Sequence, residues 1–170
     1  MLNIRRLTHL AQSLGVDQAK LDEVLVDLDQ HYEQLILIDP ARPEKIRRVV
    51  NVRKPLRTLQ ERIYKRLLLK KLLPSPQSHG GVNGRSIKTN ALVHADSQYV
   101  LKTDISDFYP SIHFRRVYRL FVETFGCSPD VARVCTALTT HRHHLALGIV
   151  TSPILADQML RKADTRIAAA

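Results

Sequence analysis

The stretch "YVLKTDISDFYPSIHF", residues 99–114, constrains the fold of this chain more than any other part of the sequence. Its apolar first half predicts a strand that ends at Asp104, and Asp107 follows three residues later, directly before two aromatic residues and a proline. A carboxylate at the end of a strand can bind Mg²⁺, here with the backbone carbonyl of Ile105. It can equally cap a turn, so both interpretations stay open for Asp104. Asp107 is placed to cap a helix that begins near Phe108.

The charge of the chain is concentrated in one segment. Lys and Arg number 26 against 16 Asp and Glu, and residues 41–72 hold twelve of the basic side chains and only two of the acidic ones. Such a segment favours a polyanionic partner, with nucleic acid ahead of an anionic membrane surface. No apolar run approaches the roughly 18 residues of a membrane span, and two cysteines without a secretory leader favour a cytoplasmic protein.

The spacing of apolar residues predicts an α+β fold, because helices and strands are mixed without strict alternation. Two helices come first, one ending at Gly15 and one with an apolar stripe from Leu21 to Tyr32. The segments "EQLILID" and "IRRVVNV" then predict a hairpin whose tip, "PARPEK", is basic. A helix follows Pro55, and further helices are predicted for "IKTNALVHA", "FRRVYRLFVETFG", "SPDVARVCTALTTH" and "ILADQMLRKADTRIA".

Three further features allow two interpretations each. Taken alone, the outward basic face of the helix after Pro55 is interpreted as a solvated surface. Beside a basic hairpin, a nucleic-acid-binding surface is an equally good interpretation. The glycine loop and Thr-Ser-Pro of "ALGIVTSPILAD" form an ordinary helix start, or a place for a phosphate or base. The histidines of "HRHHLAL" favour a basic loop facing solvent or RNA over a zinc site, because adjacent loop histidines rarely converge on one ion.

Taken in order, four segments resemble the retron-type reverse transcriptases of bacteria. "RRVVNVRKPLRTLQERI" resembles the fingers motif, and "SHGGVNGRSIKTNALVH" contains the NAxxH element that marks retron enzymes. "LKTDISDFYPSI" resembles the palm motif with the first catalytic aspartate, and "LGIVTSPILAD" resembles the later palm motif. The likeness spans about residues 30 to 160. It implies N-terminal helices (residues 1–33), fingers (residues 34–98) and a partial palm with an incomplete antiparallel sheet (residues 99–170).

The resemblance also implies roles for individual residues. Asp104 would be catalytic and would bind Mg²⁺, or Mn²⁺ in its place, with the Ile105 carbonyl helping. Tyr109 would be the gate under the sugar that excludes a 2′-hydroxyl. The nucleotide would be bound by Tyr109 together with Lys45, Arg47, Arg48, Asp107, Gly148, Thr151, Ser152 and Pro153. RNA would be bound by Arg53, Lys54, Arg57, Arg62, Lys65, Arg66, Arg85, Asn90 and His94.

The function implied is RNA-directed DNA synthesis by two-metal phosphoryl transfer, with a role in antiphage defence. The partners implied are a structured template RNA and its DNA product, deoxynucleotide triphosphates and an effector protein, with no membrane. The sequence ends before the Tyr-x-Asp-Asp hairpin and the thumb of this family. We therefore expect residues 1–170 to be inactive alone and to need a second polypeptide, or a C-terminal part, that completes the palm and thumb.

Four positions depart from the family pattern. Leu147 stands where the pattern has Gln, Val150 replaces a proline, Asp157 replaces an Asn, and Gly81 replaces an aromatic residue. Leu147 removes a polar group expected near the nucleotide. Leu147 and the absent Tyr-x-Asp-Asp and thumb motifs favour an alternative, in which the chain is a non-catalytic RNA-binding or scaffold module that keeps a degenerate reverse-transcriptase fold.

Overall fold

The computed structural model describes residues 2–169, except for the side chains of Arg42 and Lys45. The amino-terminal part comprises helices α1 (Leu7–Leu14) and α2 (Gln18–Val26), the 3₁₀ turn Asp29–His31, and strands β1 (Tyr32–Asp39) and β2 (Arg42–Val52). The rest is helical, with α3 (Leu56–Ile63), a π-helical turn (Tyr64–Leu68), α4 (Leu69–Lys71), α5 (Ile87–Leu92), α6 (Phe108–Ser111), α7 (Phe114–Glu123), α8 (Pro129–Thr139) and α9 (Ser152–Ala168). The predicted α+β class is confirmed.

The two amino-terminal helices form largely as their sequence predicts. Helix α1 buries Leu10 and Leu14 and is closed by Gly15, whose φ of 68° lies in the left-handed region that glycine adopts most easily. The apolar stripe predicted for the second helix is wrong beyond Val26, because α2 ends there. Tyr32 instead begins β1, where pairing with β2 satisfies its backbone.

A single buried amide joins three elements of the core. Gln60, in the middle of α3, is fully buried and donates one hydrogen bond to the carbonyl of Leu138 in α8 (3.0 Å) and one to the hydroxyl of Tyr32 in β1 (3.3 Å). The Tyr32 hydroxyl in turn donates to the Thr140 carbonyl (3.3 Å). Burial raises the pKa of Tyr32, so its hydroxyl keeps the proton that it donates. This network fixes the base of the hairpin against α3 and α8.

The hairpin is anchored at its base and stands free at its far end. Val50 and Val52 are buried in the core, whereas Ile36, Ile38 and Ile46 are exposed. The turn is shorter than the predicted "PARPEK", because β2 already begins at Arg42. The hairpin thus carries side chains away from the helical body.

The strand predicted for "QYVLKTDI" is wrong. Residues 99–105 have no regular structure, and Tyr99 and Leu101 are 91% and 90% exposed. A strand needs the backbone N–H and C=O groups of a neighbour. Within residues 2–169, the sheet consists of β1 and β2 paired with each other, so this segment has no strand to pair with. The palm sheet expected from the sequence is therefore absent from the part of the chain described.

Among residues 2–169, no helix is both long and apolar enough to cross a lipid bilayer.

Candidate active site

The loop before α9 docks on the base of the hairpin through backbone contacts. The amide of Val50 in β2 donates to the carbonyl of Leu147 (2.8 Å), which extends the hydrogen bonding of the hairpin to the loop. Gly148 adopts a φ of 106° and lies directly against β2. A Cβ atom there would collide with the Val50 carbonyl oxygen and lie 3.0 Å from a methyl carbon of Val49. The glycine is therefore required for this close approach of loop and strand.

This docking encloses one side of an open cleft of about 720 Å³. Residues 46–48 of β2 form one wall, residues 107–110 form the opposite wall, and Leu147 lies between them. Four residues expected to bind the nucleotide meet here, namely Arg47, Arg48, Asp107 and Tyr109. Segments some 60 residues apart in the sequence thus come together as a single basic and aromatic cleft.

The strand register distinguishes the two arginines of the cleft. Alternate residues of a strand share a face, so Arg48 lies on the same face as Val50, the residue that docks on the loop. Arg47 pairs with Leu37 and lies on the opposite face. Both side chains line the cleft, and Arg48 extends from the strand face on which the Val50 side chain is buried in the core. Sequence analysis left these two arginines equivalent.

The opposite wall is a short, sharply turned helix. Asp107 precedes α6 with a φ of 48°, and its carbonyl accepts a hydrogen bond from the Ser111 amide (2.9 Å). The expected cap by its side chain is not formed, so the Asp107 carboxylate is exposed at the cleft. Tyr109 is half-buried, and burial raises the pKa of its phenol, which stays neutral. A flat, uncharged ring therefore lies along this wall.

The Thr-Ser-Pro segment supports the cleft from behind. Thr151 and Ser152 are buried, and the Ser152 hydroxyl donates to the Ala146 carbonyl (2.7 Å), which shapes the loop that carries Leu147 and Gly148. Pro153 lines a neighbouring recess of about 460 Å³, which Tyr109 also borders. Of the predicted nucleotide-binding residues, Lys45 has its side chain outside the described part of the chain.

Asp104 and Ile105 belong to the segment without regular structure, and they lie three and two residues before Asp107, the first residue of that cleft wall. Both are exposed, and Ile105 is 52% exposed. Within residues 2–169, no three His, Cys, Asp or Glu side chains converge as a metal site would require. The carboxylate and carbonyl oxygens of Asp104 and Ile105 suit Mg²⁺, but they amount to a fraction of the ligands that the ion needs.

The residues expected to bind RNA fall into two groups in the structure. Arg62 donates to the carbonyls of Leu14 and Gly15 at the end of α1, and Arg85 donates to carbonyls in the loop at residues 75–78. Arg57 pairs with Glu61 (3.0 Å). The guanidinium groups of Arg62 and Arg85 are thus bound to the chain's own backbone, and that of Arg57 pairs with a partly exposed carboxylate of its own helix. The remaining positions are exposed, and they comprise Arg53, which pairs with Glu33 (3.3 Å), Lys54, Lys65, Arg66, Asn90 and His94.

Sequence analysis missed the apolar part of the cleft. Ile46, Phe108 and Pro110 line it beside Leu147, which is 38% exposed. The two-residue period of β2 was the available signal, because it places Ile46 on the face of Arg48.

Comparison with known proteins finds retron reverse transcriptases among the relatives of this chain. No protein-family model matches the chain. Over 154 residues it is 29% identical to the Retron Se72 reverse transcriptase of Salmonella heidelberg, an alignment that covers 91% of this chain and 40% of that protein. It is 35% identical over 147 residues to the Retron Mx65 reverse transcriptase of Myxococcus xanthus, and this alignment covers 76% of this chain and 34% of that protein. It is 30% identical over 165 residues to the Retron Ec86 reverse transcriptase of Escherichia coli, and this alignment covers 96% of this chain and 51% of that protein.

The chain therefore spans about a third to a half of the length of these relatives. Each alignment covers at least three quarters of this chain.

We expect Gly148→Ala to destabilise the protein more than Gly84→Ala does. Both glycines have positive φ, but a Cβ at Gly84 meets nothing within 4 Å, whereas one at Gly148 collides with Val50. Overpacking of this kind costs about 1–3 kcal/mol beyond the backbone strain that the two variants share. Urea denaturation of both variants measures the difference. Equal unfolding free energies would show that the loop does not need its close contact with β2.

Proposed function

We propose that this chain, a member of the retron-type reverse transcriptase family, forms the nucleotide-binding side of an RNA-directed DNA polymerase site. The observation that carries the proposal is the cleft in which Arg47, Arg48, Asp107 and Tyr109 meet, three residues after Asp104 in the chain. In this proposal residues 34–98 act as fingers and residues 99–170 act as part of the palm.

The hairpin would hold the triphosphate of the incoming deoxynucleotide. Guanidinium groups bind phosphate oxygens with paired hydrogen bonds, and Arg47 and Arg48 bring two of them to one cleft. The far end of the hairpin stands free of the body, which would let it close over a bound nucleotide.

Tyr109 would limit the sugar that the cleft accepts. Its ring lies between the cleft and the recess beside Pro153, so a sugar in the cleft would rest against it. An additional 2′-hydroxyl would meet the ring, whereas a deoxyribose would fit. Selection by a packed ring depends on shape, which agrees with a neutral, half-buried phenol.

Asp104 would supply a carboxylate to the catalytic metal ions. It is exposed in a segment without regular structure, and among the described side chains no ion pair to it competes with a cation. When bound, two Mg²⁺ ions activate the primer hydroxyl and stabilise the departing pyrophosphate. One carboxylate cannot position two ions, so further carboxylates would have to come from elsewhere in the polymerase.

The unpaired segment before Asp104 would form the palm strand once such a partner is present. Tyr99, Val100, Leu101 and Ile105 are exposed apolar residues on a backbone without a strand neighbour. Pairing with an antiparallel hairpin would cover them and fix Asp104 beside the carboxylates of that hairpin. The hairpin would be supplied by a second polypeptide or by a further part of the same polymerase.

The template would be a structured RNA, read along the exposed basic positions. Arg53, Lys54, Lys65 and Arg66 lie exposed after the hairpin and on the following helix, and Asn90 and His94 are exposed on and after α5. The product would be DNA joined to that template, with a role in antiphage defence and an effector protein as partner. Deleting the gene and scoring phage plaques would test the defence role.

A second candidate function is a non-catalytic RNA-binding or scaffold module. Leu147 favours it, because an apolar side chain lines the cleft at a position where the family pattern has Gln. In that case Asp104 would serve no chemical purpose.

We expect Asp104→Asn to abolish DNA synthesis by the complete polymerase while RNA binding is unchanged. The amide cannot replace a charged metal ligand, and the residue is too exposed to stabilise the fold. Primer extension with Mg²⁺ and a gel-shift assay on the same preparation measure both properties. Asp96→Asn is the matched control, because Asp96 is also exposed but lies outside the cleft motifs. Unchanged synthesis in Asp104→Asn would support the scaffold function.

We expect Tyr109→Ala to increase ribonucleotide incorporation by at least about tenfold relative to deoxynucleotide incorporation. Removing the ring leaves space for the 2′-hydroxyl, and one unfavourable contact of about 1.4 kcal/mol corresponds to a tenfold preference. Single-nucleotide primer extension with paired ribo- and deoxynucleotides gives the ratio. Tyr109→Phe is the control and should keep the original preference. A preference that is unchanged in Tyr109→Ala would remove Tyr109 from sugar selection.

A further inference from the structure

The turn at residues 141–144 holds an arginine and a histidine in a backbone conformation that neither favours. Arg142 and His143 have φ angles of 47° and 68°. His141 and His144 exchange backbone hydrogen bonds of 2.9 and 3.0 Å around them. Two consecutive positive φ angles inside such a pair are the pattern of a type I′ turn, where Asn-Gly is the preferred sequence. The chain therefore holds Arg142 and His143 in an unfavourable backbone conformation, which indicates that their side chains have a function.

The turn is fixed to its surroundings on two sides. The amide of Phe114 in α7 donates to the His143 carbonyl (2.8 Å). With the Gln34 amide turned so that its oxygen faces the guanidinium, Arg142 donates to this oxygen of β1 at 2.7 and 3.2 Å. Arg142 thus anchors the turn, and His143 remains as its exposed ring.

His143 forms the edge of a small groove between α7 and α8. The groove has a volume of about 190 Å³, and the aromatic rings that line it belong to Phe114, Tyr118 and His143. The ring centroids of Phe114 and His143 are 5.3 Å apart. A cavity of about 150 Å³ accommodates benzene, so this groove is large enough for one planar ring. It shares no lining residue with the nucleotide cleft.

The floor of the groove offers apolar surface. Thr136 and Thr140 line it, but their hydroxyls donate to the carbonyls of Ala132 (2.6 Å) and Thr136 (2.8 Å) in the backbone of α8. Ala137 completes the floor. A ligand that binds here would gain contact from its flat faces rather than from hydrogen bonds to the floor.

The rim of the groove is basic. Arg133 lines it, and its only ion pair among the described residues is an exposed contact with Asp130 at 3.8 Å, which contributes little. Residues 113–143 contain five arginines and only two acidic residues, Glu123 and Asp130. Aromatic rings beside exposed arginines are the combination that binds single-stranded nucleic acid, because the rings stack on bases and the cations attract phosphates.

We propose that this groove binds one unpaired base of a single-stranded nucleic acid. The base stacks against Phe114, Tyr118 and His143, and Arg133 contacts a phosphate beside it. The strand is single-stranded RNA or single-stranded DNA, since both present the same stacking faces to the rings. This site requires no chemistry in the cleft, so it is independent of the proposed polymerase function.

The test is photo-crosslinking with oligonucleotides that carry a single 5-iodouracil, one of RNA and one of DNA. We expect crosslinks to Phe114, Tyr118 or His143, mapped by mass spectrometry. Comparison of the two oligonucleotides shows which strand the groove prefers. His143→Gly should lower the yield at the remaining two rings about tenfold, because the loss of one stacking contact corresponds to roughly that factor. His143→Asn, which also suits positive φ, should behave in the same way.

Both variants should keep or raise the melting temperature, since glycine and asparagine relieve the turn. Any loss of crosslinking is then a loss of binding and not of folding. Asp104→Asn should leave the crosslink unchanged, so the two proposals fail separately. Absence of crosslinks within residues 113–143, or an unchanged yield in both His143 variants, would overturn the proposal.

Discussion

The hydrogen bond from the Val50 amide to the Leu147 carbonyl (2.8 Å) is the contact on which the candidate active site depends. It continues the hairpin's own hydrogen bonding into a loop that lies almost a hundred residues further along the chain. Gly148 makes the approach possible, because any larger residue would collide with the strand. The arginines of β2 therefore face Tyr109 at a separation that backbone contacts determine.

The helical body fixes the other end of this arrangement. Gln60 connects α3 to β1 and α8 through its buried amide, so the base of the hairpin cannot move independently of the core. Among the described side chains of the far half, the isoleucines at 36, 38 and 46 are exposed. A rigid base with a free end suits a part that must hold a nucleotide and then release its product. The unpaired segment before Asp104 is, by contrast, a surface that a partner strand would cover.

The sequence predicted most of the helices, because their apolar faces repeat with a clear period and their ends carry glycine or proline. It also predicted the hairpin, whose buried base and exposed tip differ in composition. It failed for residues 99–105, where the apolar pattern of a strand is present but the neighbouring strand is not. Pairing is a property of two segments, so a pattern in one of them cannot establish it.

Motif likeness identified Arg47, Arg48, Asp107 and Tyr109, and the geometry brings these four to one cleft. Motif likeness could not distinguish residues that contact a ligand from residues that stabilise the fold. Arg62 and Arg85 have the charge expected of RNA contacts, yet their guanidinium groups donate to backbone carbonyls of the chain itself. The left-handed turn at Arg142 and His143 was equally hidden, since no composition rule predicts positive φ for those residue types.

The most direct test of this account is to map where an incoming nucleotide binds in the complete polymerase. A photoreactive deoxynucleotide, irradiated on a primer and template, should label residues 46–48 or residues 107–110, and excess unmodified deoxynucleotide should prevent the labelling. Labelling that lies wholly outside these two segments, in an enzyme that extends the primer, would contradict the assignment of the cleft.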